Sequence, residues 1–166
     1  MSEEETWVDD VIECAVLLSA AYMISRIGRL AIAVGQSMKP TIKNYQIVYL
    51  DCRKSVREVV EKQAIIAFKP HVKHHHSIFL KRVIGTAHDR IIISKRGIFV
   101  NGKKIQEPYL FEEMRVIKRQ VFEVPAGCVF VMGDNRQNSL DSRSKKIGFV
   151  KQKDIIGVVR KSSSLR

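Results

Sequence analysis

From residue 30 onward the chain is cut into short apolar runs rich in β-branched side chains, and that rhythm restricts it to a mostly β fold. Leu30–Val34, Gln46–Leu50, Ala64–Phe68, Ile78–Ile84, Arg90–Ser94, Ile98–Val100, Gln120–Val124, Val129–Met132 and Ile155–Val159 are too short for ordinary helices and are bounded by turn residues. Asn101-Gly102, between Ile98–Val100 and Lys103–Ile105, predicts a tight hairpin, because both central positions of such a turn favour positive φ. Leu30–Val34 reads as a buried strand that Gly35 ends, which brings Ser37 out at the strand terminus.

A chain of 166 residues suits one domain with a real core and needs no covalent staples. Cys14, Cys52 and Cys128 lie far apart without a Cys-x-x-Cys spacing, so free buried thiols are expected rather than a zinc site or a disulfide framework. The formal net charge is +12, although the first thirteen residues carry Glu3, Glu4, Glu5, Asp9, Asp10 and Glu13 and no base. So basic a remainder suits an anionic partner. Its cations are scattered, with no zinc-finger spacing, helix-turn-helix pattern or aromatic RNA-binding run, so no nucleic acid is expected. A membrane-facing surface and a plain soluble basic surface both remain.

Val11–Ile27 is apolar and small, but its uncharged part, Cys14–Ser25, falls short of the roughly 20 residues a spanning helix needs. It lacks the basic start of a removable signal peptide. Arg26, Arg29, Lys39 and Lys43 after it oppose the positive-inside tendency for a cytoplasmic N-terminus. A helix lying in the membrane interface, or packed on a partner, is the alternative. The run His71-Val72-Lys73-His74-His75-His76 has no helical i, i+4 convergence, and a solvated hairpin tip is expected there rather than a metal site.

Three stretches carry chemistry. Ser37 is a poor nucleophile unless a base reaches it. Lys81 sits among Ile78, Phe79, Leu80, Val83 and Ile84, neighbours that penalise the ammonium and favour the neutral amine. Strand alternation directs Arg82 to the opposite face, toward solvent. Gly133–Arg143 is a dense polar loop after the run Val129–Met132. Spacing alone forces no contact between Ser37 and Lys81.

In this order, Ser37-Met38-x-Pro40-Thr41, Ser77–Gly85 and Gly133-Asp134-Asn135-Arg136-x-Asn138-Ser139-x-Asp141-Ser142-Arg143 resemble the three signature boxes of the type I signal peptidases, in their bacterial single-span form. These are membrane-bound serine proteases with a Ser/Lys dyad. The resemblance implies an antiparallel β-sheet, barrel-like catalytic domain over residues 30–166, with a smaller non-catalytic β insertion at about 86–123. It implies an acidic tail and membrane-anchor helix over 1–29. Ser37 would be the nucleophile and Lys81 its base, with the Ser37 N–H donating to the oxyanion; Gly35 lacks the second hydroxyl donor some relatives carry. Ser139 would hydrogen-bond and orient Lys81, Asp141 and Arg143 would brace the site as a salt bridge, and Asp134 and Arg136 would hold the loop.

The substrate would be an extended signal peptide ending Ala-x-Ala, pairing along Ala31, Ile32, Ala33, Val34, Met38, Ile78 and Leu80. No cofactor or metal is implied; the partners are preprotein signal peptides and membrane lipid, with the catalytic body on the extracytoplasmic side of the cell membrane. Tyr45-Gln46, Gln63-Ala64 and Thr86-Ala87-His88 depart from the family's turns. A mitochondrial inner-membrane peptidase, a self-cleaving repressor and a silent peptide-binding protein of the same fold are the competing readings.

Overall fold

The computed structural model describes residues 27–72, 77–110, 112, 114–116 and 118–160, together with 15, 16 and 19. Eleven strands run through these residues: β1 (Gly28–Ala33), β2 (Gln46–Asp51), β3 (Ile65–Phe68), β4 (Phe79–Gly85), β5 (Arg90–Ser94), β6 (Gly97–Val100), β7 (Lys103–Lys104), β8 (Gln120–Glu123), β9 (Cys128–Met132), β10 (Val150–Lys151) and β11 (Ile155–Arg160). One short helix, α1 (Lys54–Glu58), and a 3-10 turn at Gln152–Asp154 complete the described elements.

Every strand pairing is antiparallel. Seven strands form one sheet in the order β1-β2-β11-β3-β4-β9-β10, and β7-β6-β5-β8 form a second. Among the described residues β1 and β10 stand at the two ends of the first sheet. The second is inserted in sequence between β4 and β9, and Asn101 (φ 51°) with Gly102 (φ 81°) makes its predicted hairpin turn.

Strand β3 is buried at every position, as its unbroken Ile-Ile-Ala-Phe requires of a central strand. Its side chains divide between two cores: Ile66 and Phe68 pack with Val83, Val131 and Ile155, whereas Ile65 and Ala67 pack with Ala33, Met38, Ile42 and Leu50. A third core lies under the inserted sheet, where Ile91, Ile93 and Ile98 meet Ile84, Phe130 and Met132. Strands β4 and β9 therefore join the two sheets.

The expectation that Leu30–Val34 is buried fails. Among the described residues strand β1 pairs only with β2, and Leu30, Ile32 and Val34 are 74%, 63% and 76% exposed. Leu30 faces Tyr49 and Ile32 faces Ile47 across the ladder, forming an outward apolar row, while Ala33, Val48 and Leu50 turn inward. An edge strand has two unlike faces, and an all-apolar run conceals which one is wet.

Cys52 is buried and Cys128 partly buried, both as free thiols. His71 is exposed and meets Asp154 at 2.7 Å through Nε2, so the start of the histidine run has a carboxylate partner that sequence proximity did not suggest. The remaining histidines of that run, Cys14, and most of the expected anchor lie outside the described residues. Among the described residues no helix is long and apolar enough to cross a membrane.

Candidate active site

The serine turn is built by glycine geometry and clamped by apolar anchors. Gly35 takes φ 108°, a conformation side chains rarely adopt, and turns the chain away from β1 while its N–H donates to Asn44 Oδ1 at 2.8 Å. The Tyr45 N–H donates to Ala33 O (2.7 Å) and closes the loop. Met38 and Ile42 flank the serine and are buried in the core beneath β1 and β2, which leaves Ser37 held from below. The Ser37 carbonyl accepts from Asn135 N–H at 3.0 Å, tying this turn to the polar loop.

Lys81 lies in β4, an interior strand flanked by β3 and β9, and is 4% exposed. Its Nζ donates to Ser37 Oγ at 2.7 Å and to Leu80 O at 3.0 Å, and stands 5.2 Å from the Phe79 ring centroid. Burial lowers its pKa from the ordinary 10.5 to about 8; the Asp141 and Asp134 carboxylates oppose that shift, and Arg143 assists it. A hydroxyl paired with a buried amine that loses its proton near neutrality can act as nucleophile and base.

The loop after β9 is organised around its two carboxylates. Asp141 accepts from Gly133 N–H (2.9 Å) and forms a two-point ion pair with Arg143, both contacts at 2.8 Å. Asp134 is fully buried and accepts from Arg82 Nε (2.8 Å) and Nη2 (2.6 Å) and from Thr41 Oγ1 (2.5 Å). This differs from the expectation for Arg82: strand alternation separates it from Lys81, but what it meets is a buried carboxylate rather than solvent. Asp134 accordingly ties the loop to β4 and to the serine turn. Arg136 donates to Gly133 O (3.1 Å) and reaches out to Glu107 of the inserted segment.

The expected bond from Ser139 to Lys81 is not formed. Ser139 Oγ is buried without a hydrogen-bond partner among the described residues, while the Lys81 amine is directed to Ser37 and Leu80. Ser139 instead packs against Gly133, where a Cβ would come within 2.2 Å of its Oγ and 2.6 Å of the Ser37 carbonyl oxygen. Gly133 is thus what lets the loop close on the serine turn.

Ser37 and Lys81 open into a groove of about 700 Å3 lined by β1 and the start of β4. Each expected substrate-contacting residue, Ala31, Ile32, Ala33, Val34, Met38, Ile78 and Leu80, borders it. A neighbouring cavity of about 630 Å3 beside Lys39 and Gln137 contains neither Ser37 nor Lys81, so it is not where a bond would be cut. No group of His, Cys, Asp and Glu among the described residues could hold a metal. Sequence reasoning missed Glu107 and Tyr109 as neighbours of the loop; the Arg82 guanidinium lies 3.9 Å from the Tyr109 ring centroid, a contact without a short-range signal.

The family model described as signal peptidase, peptidase S26, matches residues 7–163. Signal peptidase I U of Bacillus subtilis (strain 168) is 37% identical over 131 residues, covering 74% of this chain and 68% of the relative. Signal peptidase I of Bacillus caldolyticus is 34% identical over 142 residues, covering 75% and 73%. Among solved structures, a signal peptidase I from Enterococcus faecalis V583 superposes with a TM-score of 0.53 at 28% identity, covering 61% of this chain and 97% of that one.

Proposed function

The chain belongs to the signal peptidase family, peptidase S26, serine-type endopeptidases that remove signal peptides, and from that premise we propose that Ser37 and Lys81 form its catalytic dyad. The single observation that carries this reading is the 2.7 Å contact between a nearly fully buried lysine amine and the Ser37 hydroxyl.

Neutral Lys81 accepts the Ser37 proton as Oγ attacks the scissile carbonyl. The ammonium then gives that proton to the departing amine. A water deprotonated by the regenerated amine attacks the acyl-enzyme, and the Lys81 ammonium returns that proton to Ser37 Oγ as it leaves, restoring the free hydroxyl and the neutral amine. The Ser37 N–H is the oxyanion donor, with no side-chain hydroxyl available from Gly35. Asp141 with Arg143 braces the loop, and Ser139 fills the space beside Gly133.

The extended end of the signal peptide adds to the open edge of β1 and meets Ile78 and Leu80 across the groove, where Ala31, Ala33 and Met38 leave room for small side chains and favour an Ala-x-Ala end. Residues 30–166 are the catalytic unit, with an insertion at about 86–123, and residues 1–29 contain a single anchor holding it at the cell membrane on the extracytoplasmic side. The apolar stretch Val11–Ile27 and the basic body support membrane attachment.

The test is cleavage of a preprotein with an Ala-x-Ala end by the full-length protein in detergent. Wild type cuts, Ser37→Ala and Lys81→Ala do not, and kcat/KM rises with pH through a midpoint near 8, where the amine sheds its proton. Cutting by Lys81→Ala at the wild-type rate would remove lysine from the mechanism.

A further inference from the structure

Behind the dyad lies a second group of charges that the chemistry just described does not use. Arg82 follows Lys81 on β4, holds Asp134 by two bonds, and also donates to Gln63 O (2.8 Å) and Thr41 Oγ1 (3.3 Å). Its outer face is covered by Tyr109, whose ring centroid is 3.9 Å from the guanidinium carbon. Tyr109 is itself fastened: its hydroxyl donates to Glu107 Oε1 at 2.8 Å, and Glu107 is in turn held by Arg136 of the polar loop. Burial and the Glu107 carboxylate keep the phenol protonated well above its ordinary range. Residues of the inserted segment thus cover an arginine whose partner is a carboxylate near the reactive amine.

We propose that Tyr109 is a positioning residue for the Ser37–Lys81 pair: its ring, anchored through Glu107 to Arg136, holds the Arg82 guanidinium on Asp134 and so keeps that carboxylate neutralised behind the lysine. The inference rests on Lys81 acting as the base. The charges around the amine are Asp141 and Asp134, which favour the ammonium, and Arg143, which opposes it; Asp141 is matched by Arg143 and Asp134 by Arg82. If the ring is removed, Arg82 gains freedom and water, Asp134 acts less compensated on Lys81, and the protonated lysine is stabilised. The less compensated carboxylate moves the amine toward a higher pKa.

The experiment is the pH dependence of kcat/KM for full-length wild type, Tyr109→Ala, Tyr109→Leu and Tyr109→Phe on one preprotein. Tyr109→Ala and Tyr109→Leu move the midpoint upward by about 0.5 to 1 pH unit, lowering activity most on the acid side. Tyr109→Phe keeps the ring but loses the hydroxyl bond to Glu107, so its midpoint falls between those of wild type and Tyr109→Ala. If Tyr109→Ala does not fold, Tyr109→Leu, which retains apolar bulk without a π face, is read in its place. Loss of activity by one factor at every pH, with the midpoint unmoved, overturns the proposal and reduces Tyr109 to packing. A Lys81→Ala control that still cuts would sink the dyad reading instead, so the two failures are distinct.

Discussion

Replacing Lys81 by Met should make the protein more stable below pH 8 while abolishing cleavage. The side chain is 4% exposed, and its pKa lies at about 8 where an unfolded chain would show 10.5. At about 1.4 kcal/mol per pKa unit, that gap makes the buried ammonium cost roughly 3 kcal/mol. The contribution is absent above the unfolded pKa of 10.5 and grows as pH falls toward 8, because in that window the unfolded chain binds the proton that the folded one refuses. Methionine fills a similar volume and carries no charge, but it forfeits the bonds to Ser37 Oγ and Leu80 O, each worth about 1 kcal/mol. The expected balance is a gain of about 1 kcal/mol near pH 7 that becomes a loss of about 2 kcal/mol near pH 11. Urea unfolding of both full-length proteins in the same detergent at pH 7, 9 and 11 measures the difference, and groups common to both cancel. Parallel stability curves for variant and wild type would show that the lysine titrates like a solvated one and would refute the reasoning.

Other perturbations test the scaffold. Gly133→Ala drives a methyl into Ser139 Oγ and the Ser37 carbonyl, so cleavage should fall about 100-fold and stability by about 1–3 kcal/mol; an unchanged rate would mean that the loop need not touch the serine turn. Asp134→Asn leaves the Arg82 charge buried without its counter-ion and should cost about 3–5 kcal/mol in urea unfolding; a loss below about 1 kcal/mol would show that the arginine escapes to water.

Much of this arrangement was readable from residue order. The short β-branched runs became strands with ends shifted by a residue or two, and Asn101-Gly102 turned where both residues tolerate positive φ. Ser37 and Lys81 were legible as a pair only through the likeness of three separated boxes, since a separation of 44 in sequence dictates nothing about distance. Arg82 was misjudged because a period of two tells which residues diverge, but not whether the far side is water or a second core. Glu107 and Tyr109 were invisible as partners because their contacts with Arg136 and Arg82 cross between the two sheets. Ser139 was expected on the amine and is instead against Gly133, a choice made by close packing that motif matching does not encode.

Among the described residues no strand pairs with the outer margin of β1, and that has one more consequence. A row of main-chain amides and carbonyls is indifferent to the letters of whatever lies against it, so if the substrate adds to β1 as proposed, many unrelated leaders would be held by the same lattice and discrimination would fall to the side chains that line the groove. That indifference extends to the protein's own copies: such a margin should pair with a second β1 in concentrated solutions, and sedimentation with and without a short extended peptide measures it.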